Sequence, residues 1–413
     1  MYSGEIRISK NKLKETIFLI TENEYLNRRI CSFDLKQITV PLKTAFTITG
    51  SSQNDYNGLF VKLIDASGNT GVGECCPLAG ATHDNLIENF SFLPLRCKEL
   101  QGLLPLEGLG LLDDAWTRDY GAYFEAGMCC LEMAMLDLHC HQEGILLQDF
   151  LRSGVNSVQF CQPKISCDIT VPALSETEVR KFLDGLVGYG FESFKVKVTG
   201  MNIDEDLNRV LVTNEYVPKG GQLTLDGNQG FDAAMALDFV QQLKLLNVKV
   251  ALFEQPHPKH NWDEFVTLAE SLEIPICLDE SIKKIKDLEK AIGFHVPFWL
   301  NLKIMKSGVR ETFRLGIRAK ELGIGLMIGG MVESDVAMSC SLHVLGALGG
   351  VDIVDLDTPF FMTELICQNS PYRQASANLS VPSVGSGLGL VYLDKFLGPK
   401  KAEDQNLVAP VCG

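Results

Sequence analysis

The chain has 413 residues with a formal net charge of −15 at pH 7, and 46% of its residues are hydrophobic while 22% are charged. This is the composition of a folded globular protein, long enough for two or three domains or for one barrel with an appended domain. Because nucleic acids and anionic membrane surfaces require a basic surface, and no apolar run approaches the roughly 18 residues of a membrane helix, the expected partner is a small molecule.

Residues 1–30 are predicted to be an N-terminal extension of unknown role. Acidic and basic residues are mixed along it, and its apolar run "IFLI" is too short for the core of a signal peptide. The 13 cysteines, an odd number, are scattered along the chain without the spacing of zinc ligands. Reduced thiols in a cytoplasmic protein are the simplest explanation.

Residues 31–150 are predicted to form an α+β capping domain. The stretches "CSFDLKQITVPLK" and "GLFVKLIDASGNTGVGE" are typical of antiparallel strands, and "GAYFEAGMCCLEMAMLDLHCH" is typical of a helix that follows them. The C-terminal segment 375–400 contains strand and turn residues, and we expect it to return to this domain.

Residues 151–372 alternate short apolar or β-branched runs with amphipathic stretches. Eight strand candidates run from "ISCDITV" to "VDIVDLDTP", and landmark residues from Lys197 to Asp355 recur about every 24 to 29 residues. That spacing is the length of one strand and one helix. We predict an α/β fold, a (β/α)7β-type TIM-like barrel preceded by the capping domain, with a doubly wound sheet as the alternative.

Residues 194–200, "FKVKVTG", place two like charges on one face of a strand, since alternate side chains point the same way. Taken alone, this pattern is more typical of a half-exposed strand with a solvated face. Other strands of the predicted barrel also end in charged residues, and the active site of such a barrel lies at the C-terminal ends of its strands. The candidate residues are Lys195, Lys197, Asp226, Glu254, Asp279, Lys303, Asp355 and Asp357.

Three of these residues, Asp226, Glu254 and Asp279, end three consecutive predicted strands. Each one alone is acceptable as a solvated loop residue, but the set of three is rarely expected by chance. Converging carboxylate oxygens without cysteine or histidine suit a hard cation. The sequence therefore predicts a magnesium site.

Two lysines are predicted to flank this site. In a ring of eight strands the second and the sixth lie opposite each other, so Lys197 and Lys303 approach the centre from opposite sides. Lys197 is predicted to remove a proton from a carbon next to a carboxylate, with Lys195 as hydrogen-bond donor to that carboxylate and Lys303 reprotonating the opposite face. We expect the clustered ammonium groups beside a metal to lower the pKa of the base. The reaction would be racemisation or epimerisation through an enediolate.

Asp355 and Asp357 lie across the predicted barrel from the metal site. Two carboxylates at that position suit an ammonium group at the far end of a substrate whose carboxylate lies near the metal. A dipeptide has this shape.

These motifs resemble the enolase superfamily, specifically its muconate-lactonizing (mandelate racemase/muconate lactonizing enzyme) subgroup and within it the dipeptide epimerases. The matching stretches within residues 31–395 are "KVK", "LDGNQ", "FEQP", "LDES", "NLKIMKSGV" and "DLDTP". The resemblance implies epimerisation of dipeptides from L,L to L,D at the C-terminal residue, with one Mg²⁺ per subunit and the ammonium group held by the D-x-D of "DLDTP". It also implies substrate contacts by Thr170 and Met331, a position for Asn228 beside the metal ligands, and, for a barrel enzyme of this kind, a homo-oligomer.

One departure bears on the substrate. Family members that act on Ala-Glu resemble one another in an arginine of the capping-domain loop, but residues 44–61 contain no Lys or Arg here, and Ser51 falls near the expected place. An apolar or polar dipeptide is therefore expected, selected by this loop and by "ECCPLAGATHD".

Several other functions remain open on the sequence. o-Succinylbenzoate synthase, N-acylamino acid racemase and muconate cycloisomerase share the metal and the lysines but do not need two carboxylates for an ammonium group. A Schiff-base lysine enzyme would not need three metal-type carboxylates. A barrel that has lost catalysis and serves in binding would be expected to have lost some of these charged residues.

Overall fold

The computed structural model describes residues 26–48, 51–117, 123–155 and 165–397. Most of the predicted N-terminal extension and the end of the predicted C-terminal segment lie outside these ranges. No helix within the described residues is long and apolar enough to cross a membrane. The cysteines in the same ranges carry free thiols.

An antiparallel sheet with helices precedes the barrel, as the sequence predicts for the capping domain. Its strands β1 (Ile30–Ile48), β2 (Ser51–Asp65) and β3 (Thr70–Cys75) lie in that order. Helix α3 (Glu125–Glu143) packs against β3 so closely that a Cβ atom added to Gly73 would lie 1.9 Å from the carbonyl oxygen of Cys130. Glycine at this position therefore permits the contact between sheet and helix. The helices of this region are α1 (Leu86–Leu100), α2 (Pro105–Thr117), α3 (Glu125–Glu143) and α4 (Leu147–Ser153).

The barrel follows, after a short strand β4 (Ile165–Ser166). Its strands are β5 (Ile169–Val171), β6 (Ser193–Lys197), β7 (Gln222–Asp226), β8 (Phe253–Glu254), β9 (Ile276–Leu278), β10 (Trp299–Leu302), β11 (Gly325–Gly329) and β12 (Ile353–Asp355). The helices are α5 (Glu176–Asp184), α6 (Ile203–Tyr216), α7 (Ala233–Leu245), α8 (Trp262–Ser271), α9 (Ile285–Ile292), α10 (Ile304–Ser307), α11 (Val309–Glu321), α12 (Asp335–Leu348) and α13 (Thr358–Phe361). A strand β13 (Asn378–Leu379) and a short helix α14 (Asp394–Leu397) complete the described chain.

The eight parallel strands are neighbours in the order of the chain, from β5 to β12. The sheet closes where the main-chain N–H of Asp168 donates to the carbonyl oxygen of Val354 at 2.8 Å, next to a bridge between Cys167 and Val354. A doubly wound sheet would reverse its strand order at one point, which this sheet does not. The predicted TIM-like barrel is therefore confirmed and the doubly wound alternative is excluded.

Several barrel helices begin at a residue whose side chain caps the first turn. Side-chain oxygens of Asn202, Asp232, Asn261 and Ser334 accept hydrogen bonds from main-chain N–H groups in the first turns of α6, α7, α8 and α12. The floor of the barrel is a small apolar cluster that consists of Leu252, Cys277, Trp299, Met327 and Ile353. The polar side chains consequently converge at the opposite, C-terminal end of the strands.

Buried polar contacts join the capping sheet to the barrel. The carboxylate of Glu74, in β3, accepts hydrogen bonds from the N–H groups of Ser334 (2.7 Å) and Ala337 (2.9 Å) and from the hydroxyl of Tyr56 (2.9 Å). Glu132 of α3 likewise accepts from the side chain of Arg310 at 2.6 Å. These contacts hold the capping region over the mouth of the barrel.

The C-terminal segment contacts both parts of the molecule. Strand β13 pairs with β4 beside the barrel, while the N–H of Leu388 donates to a carboxylate oxygen of Asp137 in α3 at 2.7 Å. The boundaries of the predicted domains, at residues 150 and 372, stay predictions.

Candidate active site

The eight charged residues selected from the sequence all lie at the C-terminal ends of barrel strands, and all are buried. Lys197, Asp226 and Glu254 occupy neighbouring positions in register on β6, β7 and β8. Asp279 and Lys303 come directly after β9 and β10. The lysine face of β6 is not solvated, since Lys195 is 2% and Lys197 6% exposed.

Each lysine ammonium group is ion-paired with a carboxylate. Lys197 Nζ donates to Asp226 Oδ2, and Lys303 Nζ donates to Asp279 Oδ2 at 2.6 Å. Lys195 Nζ donates to Asp355 and lies 3.4 Å from Glu254 Oε2. Lys195 thus lies between the predicted metal ligands and the predicted ammonium-binding pair.

Two residues that the sequence analysis did not select hold these carboxylates in place. Asn301 Nδ2 donates to Glu254 Oε1 at 2.5 Å. Lys306 Nζ donates to Asp279 Oδ1 at 2.7 Å and to the carbonyl oxygen of Asn301 at 3.0 Å. Asn301 precedes Lys303 by two residues, so strand alternation could have placed both on one face.

The ion pairs decide the direction of the pKa shifts. Burial lowers the pKa of Lys195 and of Lys303, but the surrounding carboxylates outweigh burial and raise both pKa values above the usual lysine value. Burial raises the pKa of Glu254 to about 8. Burial also opposes ionisation of Asp279, but Lys303 and other neighbouring cations hold its pKa below the usual range. The expectation of a lowered pKa was made for the base and stays a prediction, whereas the raised pKa values of Lys195 and Lys303 follow from the carboxylate partner of each ammonium group.

Asp226, Glu254 and Asp279 are carboxylates of the type that binds a divalent cation. They supply buried oxygens from three consecutive strand ends, and within the described part of the chain Glu254 Oε2 accepts no hydrogen bond. The side-chain oxygen of Asn228, whose N–H donates to Asp226 Oδ1 at 2.9 Å, also accepts none. Oxygen donors without cysteine or histidine are those that Mg²⁺ prefers. The residues at these three strand ends are therefore suited to the predicted metal.

A second group of carboxylates lies where the barrel closes. Within the described part of the chain, the carboxylates whose oxygens lie within 4.8 Å of one another are those of Asp168, Asp355 and Asp357. The N–H of Thr170 donates to Asp357 Oδ2 at 2.5 Å, and its hydroxyl donates to Asp355 Oδ1 at 3.3 Å. Burial and the charge of Asp355 raise the pKa of Asp357 to about 6. Asp168 was not selected from the sequence.

A cavity connects the three lysines with the aspartate pair, while Asp226, Glu254 and Asp279 lie outside its lining. Its lining includes Thr170, Lys195, Lys197, Asn228, Lys303, Met331, Asp355 and Asp357, all of which were selected from the sequence. The capping region contributes Phe46 and residues 78–81, and Lys259 Nζ donates to the carbonyl oxygen of Gly80 at 3.2 Å. Glu280, which was not predicted, also lines the cavity. Residues 49–50 and the side chain of Ser51 lie outside the described part of the capping loop.

Comparison with known proteins gives a consistent picture. A family model described as "Enolase C-terminal domain-like" matches residues 178–395. The chain is 32% identical to a hydrophobic dipeptide epimerase of Citrifermentans bemidjiense, covering 86% of this chain and 95% of that one. It is 31% identical to an aromatic dipeptide epimerase of Herpetosiphon aurantiacus, covering 81% and 91%. A dipeptide epimerase of Cytophaga hutchinsonii, solved with Mg and D-Ala-L-Val, superposes with a TM-score of 0.80 at 24% identity, covering 89% and 97%.

Proposed function

The chain belongs to the enolase superfamily, among its dipeptide epimerases, and from this premise we propose that it converts L,L-dipeptides into L,D-dipeptides by moving one proton at the α-carbon of the C-terminal residue. The protein is an isomerase of this superfamily. The observation that carries the finer proposal is the placement of Lys197 and Lys303 after opposite strands of one barrel, with buried carboxylates between them and a second carboxylate pair at the closure of the barrel.

The two lysines would act on opposite faces of the reacting carbon. Lys197 takes the α-proton from one face, and Lys303 returns a proton to the other face, so that the configuration is inverted. Lys195 donates hydrogen bonds to the substrate carboxylate, where negative charge develops as the enediolate forms. Water is largely excluded from the reacting groups, because all three lysines are almost fully buried.

The carboxylates of Asp226, Glu254 and Asp279 would hold one Mg²⁺. When bound, the cation supplies positive charge that stabilises a developing negative charge on the substrate carboxylate. Asn301 and Lys306 keep two of these carboxylates in fixed orientations through the hydrogen bonds described above.

Asp355 and Asp357 would receive the ammonium group of the dipeptide. Asp357 is oriented by the N–H of Thr170, and Asp355 by the hydroxyl of the same residue. A substrate that spans the cavity then places its carboxylate near Lys195 and its ammonium group near the aspartate pair. This length requirement distinguishes a dipeptide from a free amino acid.

The side chains of the dipeptide are proposed to be apolar. The capping residues that line the cavity are Phe46, Leu78, Ala79, Gly80 and Ala81, which carry no charge. The capping loop has no Lys or Arg between residues 44 and 61 that could pair with an acidic side chain. Two relatives, a hydrophobic dipeptide epimerase and an aromatic dipeptide epimerase, support the same proposal.

The test is proton NMR of the protein with Mg²⁺ in deuterium oxide. L-Ala-L-Phe should show exchange of the α-proton of its C-terminal residue and appearance of the L,D diastereomer, and L-Ala-L-Glu should react more slowly. N-acetyl-L-phenylalanine lacks the ammonium group and should not react. Reaction of the N-acetyl compound, or of an o-succinylbenzoate precursor, without reaction of any dipeptide would keep the superfamily and overturn the dipeptide assignment.

Matched variants separate the roles of the two lysines. Lys303→Ala should still exchange the α-proton of the L,L-dipeptide with solvent but should not invert it, whereas Lys197→Ala should lose exchange from that face. Each loss should exceed about 100-fold, the lower range for a general acid or base. Lys320→Ala, at an exposed position of α11, is the control and should match the wild type. Exchange and inversion that fall equally in both variants would contradict the two-base scheme.

A further inference from the structure

Asp168 is a buried carboxylate to which the proposed reaction gives no role. It is 1% exposed, and among the described residues no N–H or hydroxyl group donates a hydrogen bond to either of its oxygens. It lies beside the carboxylate pair that would bind the substrate ammonium group, since oxygens of Asp168, Asp355 and Asp357 lie within 4.8 Å of one another. A buried carboxylate without a donor is costly, so its presence here requires an explanation.

The position of Asp168 is fixed by the closure of the barrel. Its main-chain N–H donates to the carbonyl oxygen of Val354, the residue before Asp355, at 2.8 Å. Two residues later, Thr170 donates to both members of the aspartate pair. The segment from Asp168 to Thr170 therefore lies directly beside the pair, and side-chain alternation places Asp168 below Thr170 on the same face.

When Asp168, Asp355 and Asp357 are all ionised, their negative charges exceed the positive charge of the ammonium group beside them. Lys195 is the ammonium group that pairs with Asp355, and it is shared with Glu254 and Asp226. Like charges this close inside a protein cannot all remain ionised, and one proton shared by two carboxyl groups removes the conflict. In agreement, burial and then Asp355 raise the pKa of Asp168 well above its usual range, against the opposing charge of Lys195.

We propose that Asp168 is a positioning residue that donates a shared proton to Asp355 and thereby holds that carboxylate in the orientation that receives the substrate ammonium group. The neutral carboxyl of Asp168 satisfies one Asp355 oxygen, so that Asp355 can exchange its present partner, Lys195, for the substrate. This inference rests on the proposed function, because the ammonium group belongs to a dipeptide.

The kinetic test compares two substitutions at this position. Asp168→Asn keeps a hydrogen-bond donor of the same shape, whereas Asp168→Ala removes it. For L-Ala-L-Phe we expect Asp168→Asn to keep KM within about threefold of the wild type, and Asp168→Ala to raise KM about 10- to 100-fold with kcat little changed, the range for a lost hydrogen bond to a charged group. Equal increases in both variants would assign an ionised role to Asp168 and overturn the shared proton, as would unchanged KM in both.

A spectroscopic test does not depend on turnover. The infrared spectrum of protein labelled with carbon-13 aspartate should contain the carbonyl band of a protonated carboxyl group, and Asp168→Asn should lack it. If the band is present but no dipeptide reacts, the shared proton is supported and the proposed function is wrong. If a dipeptide reacts but the band is absent, the proposed function is supported and the shared proton is wrong. If Asp168→Ala does not fold, Asp168→Ser provides the shortened side chain for the kinetic comparison.

Discussion

Gly73 lies where strand β3 and helix α3 are too close for a larger side chain. A Cβ atom at this position would lie 1.9 Å from the carbonyl oxygen of Cys130, 2.8 Å from its carbonyl carbon and 2.9 Å from the main-chain nitrogen of Ala134. Ordinary contacts begin at 3.4 Å, so strand β3 and helix α3 would have to separate by more than an ångström. The obstructing atoms are main chain, so no side-chain rotation can relieve the clash.

Gly73→Ala should therefore destabilise the protein by about 3 kcal/mol, the upper part of the usual range for overpacking. At about 2 °C per kcal/mol this lowers the melting temperature by about 6 °C. Because the neighbouring Glu74 ties the sheet to the barrel, we also expect KM for the dipeptide to rise. The measurement is thermal unfolding by circular dichroism, followed by steady-state kinetics.

The matched control is Gly110→Ala in α2. Apart from the adjoining backbone of its own helix, no atom of the described residues lies within 4 Å of a Cβ placed there. Because alanine is the better helix former, this change should raise stability by up to about 1 kcal/mol. If Gly73→Ala melted at the temperature of the wild type while Gly110→Ala behaved as expected, the close approach of α3 to β3 would be refuted as a determinant of stability.

Four further outcomes follow from the site and its surroundings. Phe46→Ala should lower kcat/KM for L-Ala-L-Phe about tenfold or more and that for L-Ala-L-Ala less, because the ring lines the cavity; equal losses for both peptides would remove Phe46 from side-chain selection. Lys306→Met should lower the free energy of unfolding by about 2 kcal/mol in metal-free buffer, because Asp279 keeps Lys303 but loses the hydrogen bond from Lys306, and urea unfolding measures it. Burial lowers the pKa of His343 from 6.5 to about 4. The unfolded chain therefore binds a proton at this residue below pH 6.5, whereas the folded chain binds it only below about pH 4. Stability is therefore lost as the pH falls through this window, by about 2 kcal/mol at pH 5, and His343→Gln should not show this loss in urea unfolding at pH 7 and pH 5. Removal of divalent cations with EDTA should abolish α-proton exchange and added Mg²⁺ should restore it; exchange that survives EDTA contradicts the metal assignment.

The barrel and most of its charged residues could be predicted from the sequence because both depend on patterns within short stretches of the chain. The recurrence of landmarks such as Lys197, Asp226 and Glu254 at the length of one strand and one helix reflects the repeating unit. In a parallel barrel the ends of all strands converge, so a charged residue at a strand end is placed near the others without any knowledge of distances. The resemblance of the same motifs to the enolase superfamily then supplied the chemistry.

The tertiary structure alone decided which groups touch. Asp168 meets Asp355, which is far away in the sequence, because the first and the last barrel strands become neighbours when the sheet closes. Phe46 reaches the cavity from the capping sheet, and Lys306 reaches Asp279 from a short helix.

The pKa shifts of the lysines likewise required the structure. The sequence shows that ammonium groups cluster, but it does not show that Lys195 and Lys303 each pair with a carboxylate, which raises the pKa of both. Strand alternation determines the face on which a charge lies. The electrostatic energy depends on the distance between charges, and only the packing of distant segments sets that distance.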